Sequence, residues 1–370
     1  MPATAFARIA PARPRRWLLA AGLTLLAACT GHPQRSAVPD VPAGDGLAAT
    51  VIAEAFVSAL IPDVEVDSLA TWLSPEGEIR VIASAKHAGV LLAFDGEDGR
   101  LLQELGERGG LQYPNGVASF GDWLFVVERD AARVSVFELP DLAPLGHFGE
   151  GVLKTPYGLW VRESAPGEVE VFVTDSYRID DLPNPLARLD ARVKRFRVHL
   201  DEDPIQSDTL DAFGGTDEDS ALRWVESIAG DPLFDRLAIA EEHPDYRNRG
   251  PLIYRLDGRY TGKHLGEGLF RGDPEGIALY ECQSGNGYWI AAEQDREDNR
   301  FHVFDRASLA HLGSFSGAAT RFTDGIALHP GASPRFPHGA LYVVNDDAGI
   351  AAFDWRDIAS ALNLWLDCPE

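Results

Sequence analysis

Apolar residues in this chain fall into short runs, each closed by Gly, Pro, Asn or Asp, and no helical spacing is sustained between them. Short alternating runs bounded by such residues predict strands. The first group comprises Asp67–Leu73, Ile79–Ala85, Gly89–Phe94 and Arg100–Leu105, with turns at Asp95-Gly96 and Asp98-Gly99. Trp123–Val127, Arg133–Glu138 and Leu145–Phe148 repeat the pattern, as do Glu170–Thr174 with Arg192–Leu200 and Arg236–Ala240 with Leu252–Leu256. Tyr288–Ala292 and Phe301–Phe304 follow, then Gly325–His329, Ala340–Asn345 and Gly349–Trp355. Two polar stretches, 175–190 and 241–250, interrupt the rhythm and predict long loops.

A second pattern lies over the first. Gly272-Asp273-Pro274-Glu275-Gly276-Ile277-Ala278-Leu279 contains an acid, then Gly, an aliphatic residue and Ala; Asp324-Gly325-Ile326-Ala327 repeats that core. Looser copies begin at Asp67, Asn115, Tyr157 and Glu226, spaced by 48, 42, 69, 49 and 49 residues up to Asp324. Short strands with a period in the forties predict propeller blades, so the expected fold is an all-β, six-bladed β-propeller. The 69-residue interval contains the first polar loop. The last blade shows three strands, and residues 49–60 are expected to pair with 349–355 as its fourth, closing the ring.

In each copy the polar residue precedes the innermost strand and is expected at one mouth of the central channel. The ring is Asp67, Asn115, Tyr157, Glu226, Glu275 and Asp324. The second strands end in Lys86, Arg129, Ser176, Glu242, Gln294 and Asp346. If both sets share a mouth, one side is cationic and the other acidic. Clustered carboxylates without basic neighbours call for a cation, and hard oxygen ligands suit Ca²⁺ or Mg²⁺. No Gly-x-Ser-x-Gly elbow, His-x-x-x-His spacing or phosphate-cradling Gly-rich loop is present, and His87, His243 and His338 fall in loops.

Composition adds an address. Arg8, Arg13, Arg15 and Arg16 precede an apolar run from Trp17 to Ala28, short for a membrane span, that ends in Leu26-Ala27-Ala28-Cys29. That ending resembles a bacterial lipobox, which implies a lipoprotein signal peptide over residues 1–28 and Cys29 as the lipidated residue. Residues 29–48 form a flexible tether and 49–370 the propeller. By resemblance to Gram-negative lipoproteins, Thr30 rather than Asp after the cysteine implies the outer membrane of the cell envelope. The remaining thiols, Cys282 and Cys368, either pair in an oxidising compartment or stay separate and buried. Net charge is −24, and nearer −28 without the four leader arginines. Such a chain repels nucleic acid and anionic lipid, so a monomer attached to the membrane only through its lipid is expected. An anionic substrate would need a cationic pocket or bridging metal ions.

Ala85-Lys86-His87-Ala88-Gly89-Val90, Glu128-Arg129, Asn115, Tyr157-Gly158, Glu226, Ile239-Ala240-Glu241-Glu242, Asp273-x-Glu275-Gly276-Ile277 and Thr323-Asp324-Gly325-Ile326 resemble, in order, the motifs of the β-propeller phytases. The likeness spans most of residues 63–357 and includes the close Phe353-Asp354-Trp355-Arg356-Asp357-Ile358-Ala359. It implies calcium-dependent hydrolysis of phosphomonoesters of myo-inositol hexakisphosphate, a phosphorylated small molecule, with several Ca²⁺ ions bound. By position it implies metal ligands at Asp67, Glu226, Glu241, Glu242, Asp273, Glu275 and Asp324. Lys86, Arg129 and Tyr157, with Glu226, would form the catalytic set, and Asn115 and Arg178 would join them on the substrate. The sequence departs from the family where Asp63, Glu65 and Asp67 thin an Asp-rich opening, and where Thr174-Asp175-Ser176-Tyr177-Arg178 lacks a lysine. Rival readings are a non-catalytic scaffold and a lactonase-type propeller with one metal held by Glu, Asn and Asp.

Overall fold

The computed structural model describes residues 49–178, 185–202 and 204–368. The signal segment, Cys29 and most of the tether lie outside these residues. Six sheets, five of four strands and one of five, form the predicted six-bladed β-propeller. Their innermost strands are Val66–Leu73, Pro114–Phe120, Pro156–Ala165, Val225–Asp231, Asp273–Glu281 and Ile326–His329.

The middle strands read as unbroken apolar runs because both faces of a blade are covered by neighbours. In Val90–Asp95, Val90, Leu92 and Phe94 enter the core shared with blade six, whereas Leu91 and Ala93 enter the core shared with blade two. Strand periodicity of two thus presents alternate residues to the two neighbours. The same holds around the ring, so each of six hydrophobic clusters lies between two blades.

Closure corrects one expectation. Phe56–Val57 does pair antiparallel with Gly349–Asp354, Phe56 opposite Ala352. Thr50–Ile52, however, runs parallel to His311–Gly317 as a fifth strand on blade five, Thr50 opposite Phe315. The segment between them crosses from one blade to the next because Glu54 pins it. Its carboxylate accepts from the backbone N–H of Ala319 and Thr320 and from the Thr320 hydroxyl, at 2.7–2.9 Å.

The C-terminus is tied to blade five. Asp354 caps the helix Trp355–Leu362 by accepting from the Arg356 N–H, and Trp355 stacks on Tyr280 with centroids 4.4 Å apart. Beyond the helix, Cys368 forms a disulfide with Cys282. That bridge closes a loop spanning 86 residues of sequence. Replacing both cysteines by Ala should lower unfolding stability by about 2–4 kcal/mol, measured as a denaturant midpoint. An unchanged midpoint would show that the helix alone holds the tail.

Candidate functional site

One local distortion builds the mouth. In blades one to five the pairing of the innermost strand skips two residues. These are Asp67-Ser68, Asn115-Gly116, Tyr157-Gly158, Glu226-Ser227 and Glu275-Gly276. Bulges of this kind re-aim a side chain, and here they release the ring residues from the ladder. Where that neighbour is glycine, crowding requires it. A Cβ on Gly158 would lie 2.6 Å from the Glu226 carbonyl, and one on Gly325 2.5 Å from that of Asp67.

The second-strand ends reach this same mouth. Glu226, Glu242 and Glu275 each place a carboxylate oxygen within 4.8 Å of the others. Carboxylates this close repel one another when ionised, so without a cation they favour holding protons among them. Burial, then the charges of Glu242 and Asp67, push the Glu226 carboxyl well above its ordinary range. Burial and Glu242 do the same to Glu275. Burial also raises Glu242, helped by the charges of Asp273 and Asp67.

Across the mouth, Lys86 is enclosed by acids. Its Nζ lies 2.9 Å from Asp67 Oδ1 and 3.5 Å from Glu65 Oε1. Burial disfavours its charge, but Asp67 and Asp324 outweigh that and hold the proton more firmly than usual. Burial, followed by the Asp67 charge, raises the Asp324 carboxyl. Tyr157 is pushed up by burial and by Glu226, Asp67, Glu275 and Glu242, so its hydroxyl stays protonated among them. Asn115 is fully buried, with neither side-chain polar atom paired. Arg129 sits farther out, its guanidinium 3.5 Å from the Tyr113 ring centroid and its Nε 2.8 Å from Asp130. Arg178 is exposed on the polar loop. The two cations expected to form one side of the mouth therefore differ: Lys86 is embedded among carboxylates, and Arg129 lies on the rim.

Glu241 and Asp273 have other partners. The Glu241 carboxylate accepts from the backbone N–H of Arg223, of Trp224 at 2.9 Å and of His243 at 3.0 Å. Burial still raises its carboxyl to about 6 against those bonds. Asp273 accepts from Arg247 Nη1 at 2.8 Å.

Glu241 belongs to a pattern not read from the sequence. At the same strand end in other blades, Glu128 accepts from Gln112 N–H, Asp175 from Thr155 N–H, Glu293 from Gly272 N–H and Asn345 from Arg321 N–H. Each fastens the loop entering the innermost strand. The recurring signal was an Asp, Glu or Asn immediately before five of the six second-ring residues; only Lys86, preceded by Ala85, lacks it. Asp347 was also missed, although it continues the Asn345-Asp346 turn.

No family model matches the chain, and no curated protein sequence matches it. Solved structures similar to it are β-propellers. Regucalcin from Agrobacterium tumefaciens, described as a calcium-binding protein, is 11% identical with a TM-score of 0.49, covering 82% of this chain and 95% of its own. An inactive virginiamycin B lyase from Staphylococcus aureus with quinupristin is 10% identical, TM-score 0.46, covering 80% and 97%. A chain of the nidogen/laminin complex is 16% identical, TM-score 0.47, covering 72% and 86%. These likenesses concern architecture alone.

Proposed function

We propose that this chain is a calcium-dependent phosphomonoester hydrolase acting on myo-inositol hexakisphosphate or a related phosphoester. The observation that carries the reading is the Glu226, Glu242 and Glu275 group at the mouth that also holds Lys86 and Tyr157. Three buried or half-buried carboxylates that otherwise favour shared protons fit a hard cation with oxygen ligands. Glu226, Glu242 and Glu275 would hold it, with Asp67 and Asp324 close by. Bound calcium would lower the pKa of its water and offset charge on phosphoryl oxygens.

The chain's own groups supply the rest. Tyr157 keeps its proton and can donate it in a hydrogen bond to a phosphate oxygen. Lys86 adds a fixed positive charge behind Asp67, and Arg129 offers free N–H donors from the rim. A chain of charge −24 takes up a polyanion only where cations mediate. The disulfide agrees with an oxidising compartment.

A second reading is favoured by one observation: among the described residues a single group of three acids has metal-binding spacing. That suits a one-metal, lactonase-type propeller. Purified protein should release phosphate from inositol hexakisphosphate with calcium and stop in excess chelator. Undiminished release in chelator would sink the calcium mechanism. Lactone hydrolysis with one bound ion and no phosphate release would favour the second reading, and neither turnover would leave a scaffold.

A further inference from the structure

We propose that Arg247 binds the anionic group of the substrate, and that Asp273 orients this arginine rather than holding a cation. The proposal rests on the phosphoester reading and assigns a side chain that the family likeness does not.

Arg247 stands on the polar loop at 241–250, and that loop is built to hold it. The Trp224 ring lies 5.0 Å from that of His243, and His243 lies 5.3 Å from Tyr246. The Arg223 guanidinium covers the Tyr246 ring at 3.4 Å, and the Tyr246 hydroxyl donates to Glu218 at 3.0 Å. The short turn Arg247–Arg249 follows directly. Arg247 N–H donates to the His243 carbonyl at 2.9 Å, and Gly250 N–H donates to the Arg247 carbonyl at 3.0 Å. Its backbone is thus held on both sides before any ligand arrives.

The side chain reaches the mouth from there. Its Nη1 donates to Asp273 Oδ1 at 2.8 Å, two residues before Glu275 on the same strand. The side chain is about one-third exposed, at 35%, and borders a cleft of 410 Å³ with Gln294, Asp295, Arg296, Glu297 and Phe322 in its wall. A guanidinium carries five N–H donors and is always charged, so donors remain for a phosphate or carboxylate oxygen pair. Asp273 meanwhile lies outside the three-carboxylate group.

The two roles for Asp273 predict opposite results, because a guanidinium and a cation compete for one carboxylate. On calcium-loaded full-length protein, calorimetry would measure binding of inorganic phosphate and, separately, of calcium; KM would be measured on inositol hexakisphosphate. Arg247→Ala should weaken phosphate binding and raise KM by about tenfold or more, as expected for a lost charge-assisted hydrogen bond. Asp273→Asn should act in the same direction to a smaller extent. The double variant should be no worse than Arg247→Ala, since the two act as a unit. Calcium affinity should stay within about twofold in all three, the range of a surface change away from the ligands. Weaker calcium binding in Asp273→Asn with stronger binding in Arg247→Ala would overturn the proposal. So would unchanged phosphate binding in Arg247→Ala. If the parent binds inorganic phosphate through Arg247 yet hydrolyses no phosphoester, the hydrolase reading fails and this proposal stands.

Discussion

With calcium removed, Glu242→Gln should melt at a higher temperature than the parent; with calcium in excess it should melt lower. Glu242 places a carboxylate oxygen within 4.8 Å of those of both Glu226 and Glu275. Without a cation its charge is buried beside Glu226 and Glu275, and removing that conflict should stabilise the folded state by about 1–3 kcal/mol. The sign follows from linkage. The three carboxyls have folded pKa values raised above the ordinary 4.5. The stability they contribute is therefore full below that value and is lost as pH rises through the raised ones. Chelated parent protein should accordingly gain stability on moving from pH 8 towards pH 5, and Glu242→Gln should show a shallower profile. Calcium should stabilise the parent by about 2.7 kcal/mol at a hundred times its dissociation constant, and the variant by much less. Parallel shifts of both proteins with calcium would show that the ion binds elsewhere.

Lys86→Met should be among the most destabilising single substitutions in the described residues when calcium is absent. Lys86 is 9% exposed and its closest partner, Asp67, is 2% exposed. Removing one partner of a buried pair leaves an uncompensated charge, at a cost of about 3–5 kcal/mol. Lys86→Met with Asp67→Asn should recover much of that loss, because no unpaired charge remains. Arg129→Ala makes the contrast. It sits on the rim, so its stability should stay within about 0.5 kcal/mol of the parent. Its transition-state loss on phosphoester hydrolysis should nonetheless reach about 2–4 kcal/mol, by analogy with removing an oxyanion donor. Denaturant midpoints and kcat/KM for the four proteins check this. A Lys86→Met protein as stable as the parent would mean its acids are not held by that lysine.

The architecture was legible in the sequence because blades bury both faces. Runs such as Val90–Phe94 and Tyr288–Ala292 carry apolar residues at every position, and turns punctuate them. Outer strands were harder to read. Gln206–Phe213 is polar and mostly exposed, so no hydrophobic pattern marks it. The split of residues 49–60 between two blades was also hidden, since Thr50–Ile52 and Phe56–Val57 are both plausible edge strands. Only Glu54, by its bonds to residues 319 and 320, decides where the crossing falls.

For the site, the repeat placed the ring residues, because in blades one to five the same bulge recurs and turns the same position inward. What each carboxylate does there was decided by the tertiary structure. Glu241 and Glu242 are neighbours in sequence, but strand periodicity gives one to backbone N–H groups and the other to the acidic group. Glu275 and Asp273 lie two apart on one strand, yet Arg247, brought in by a loop from another blade, gives Asp273 a partner of its own. Lys86 was expected on a cationic side of the mouth and is enclosed by Glu65, Asp67 and Asp324 from the blades on either side of the ring's closure. A repeat fixes which positions face the channel. Charge pairing across blades depends on contacts between residues far apart in the chain, and only the closed ring creates them.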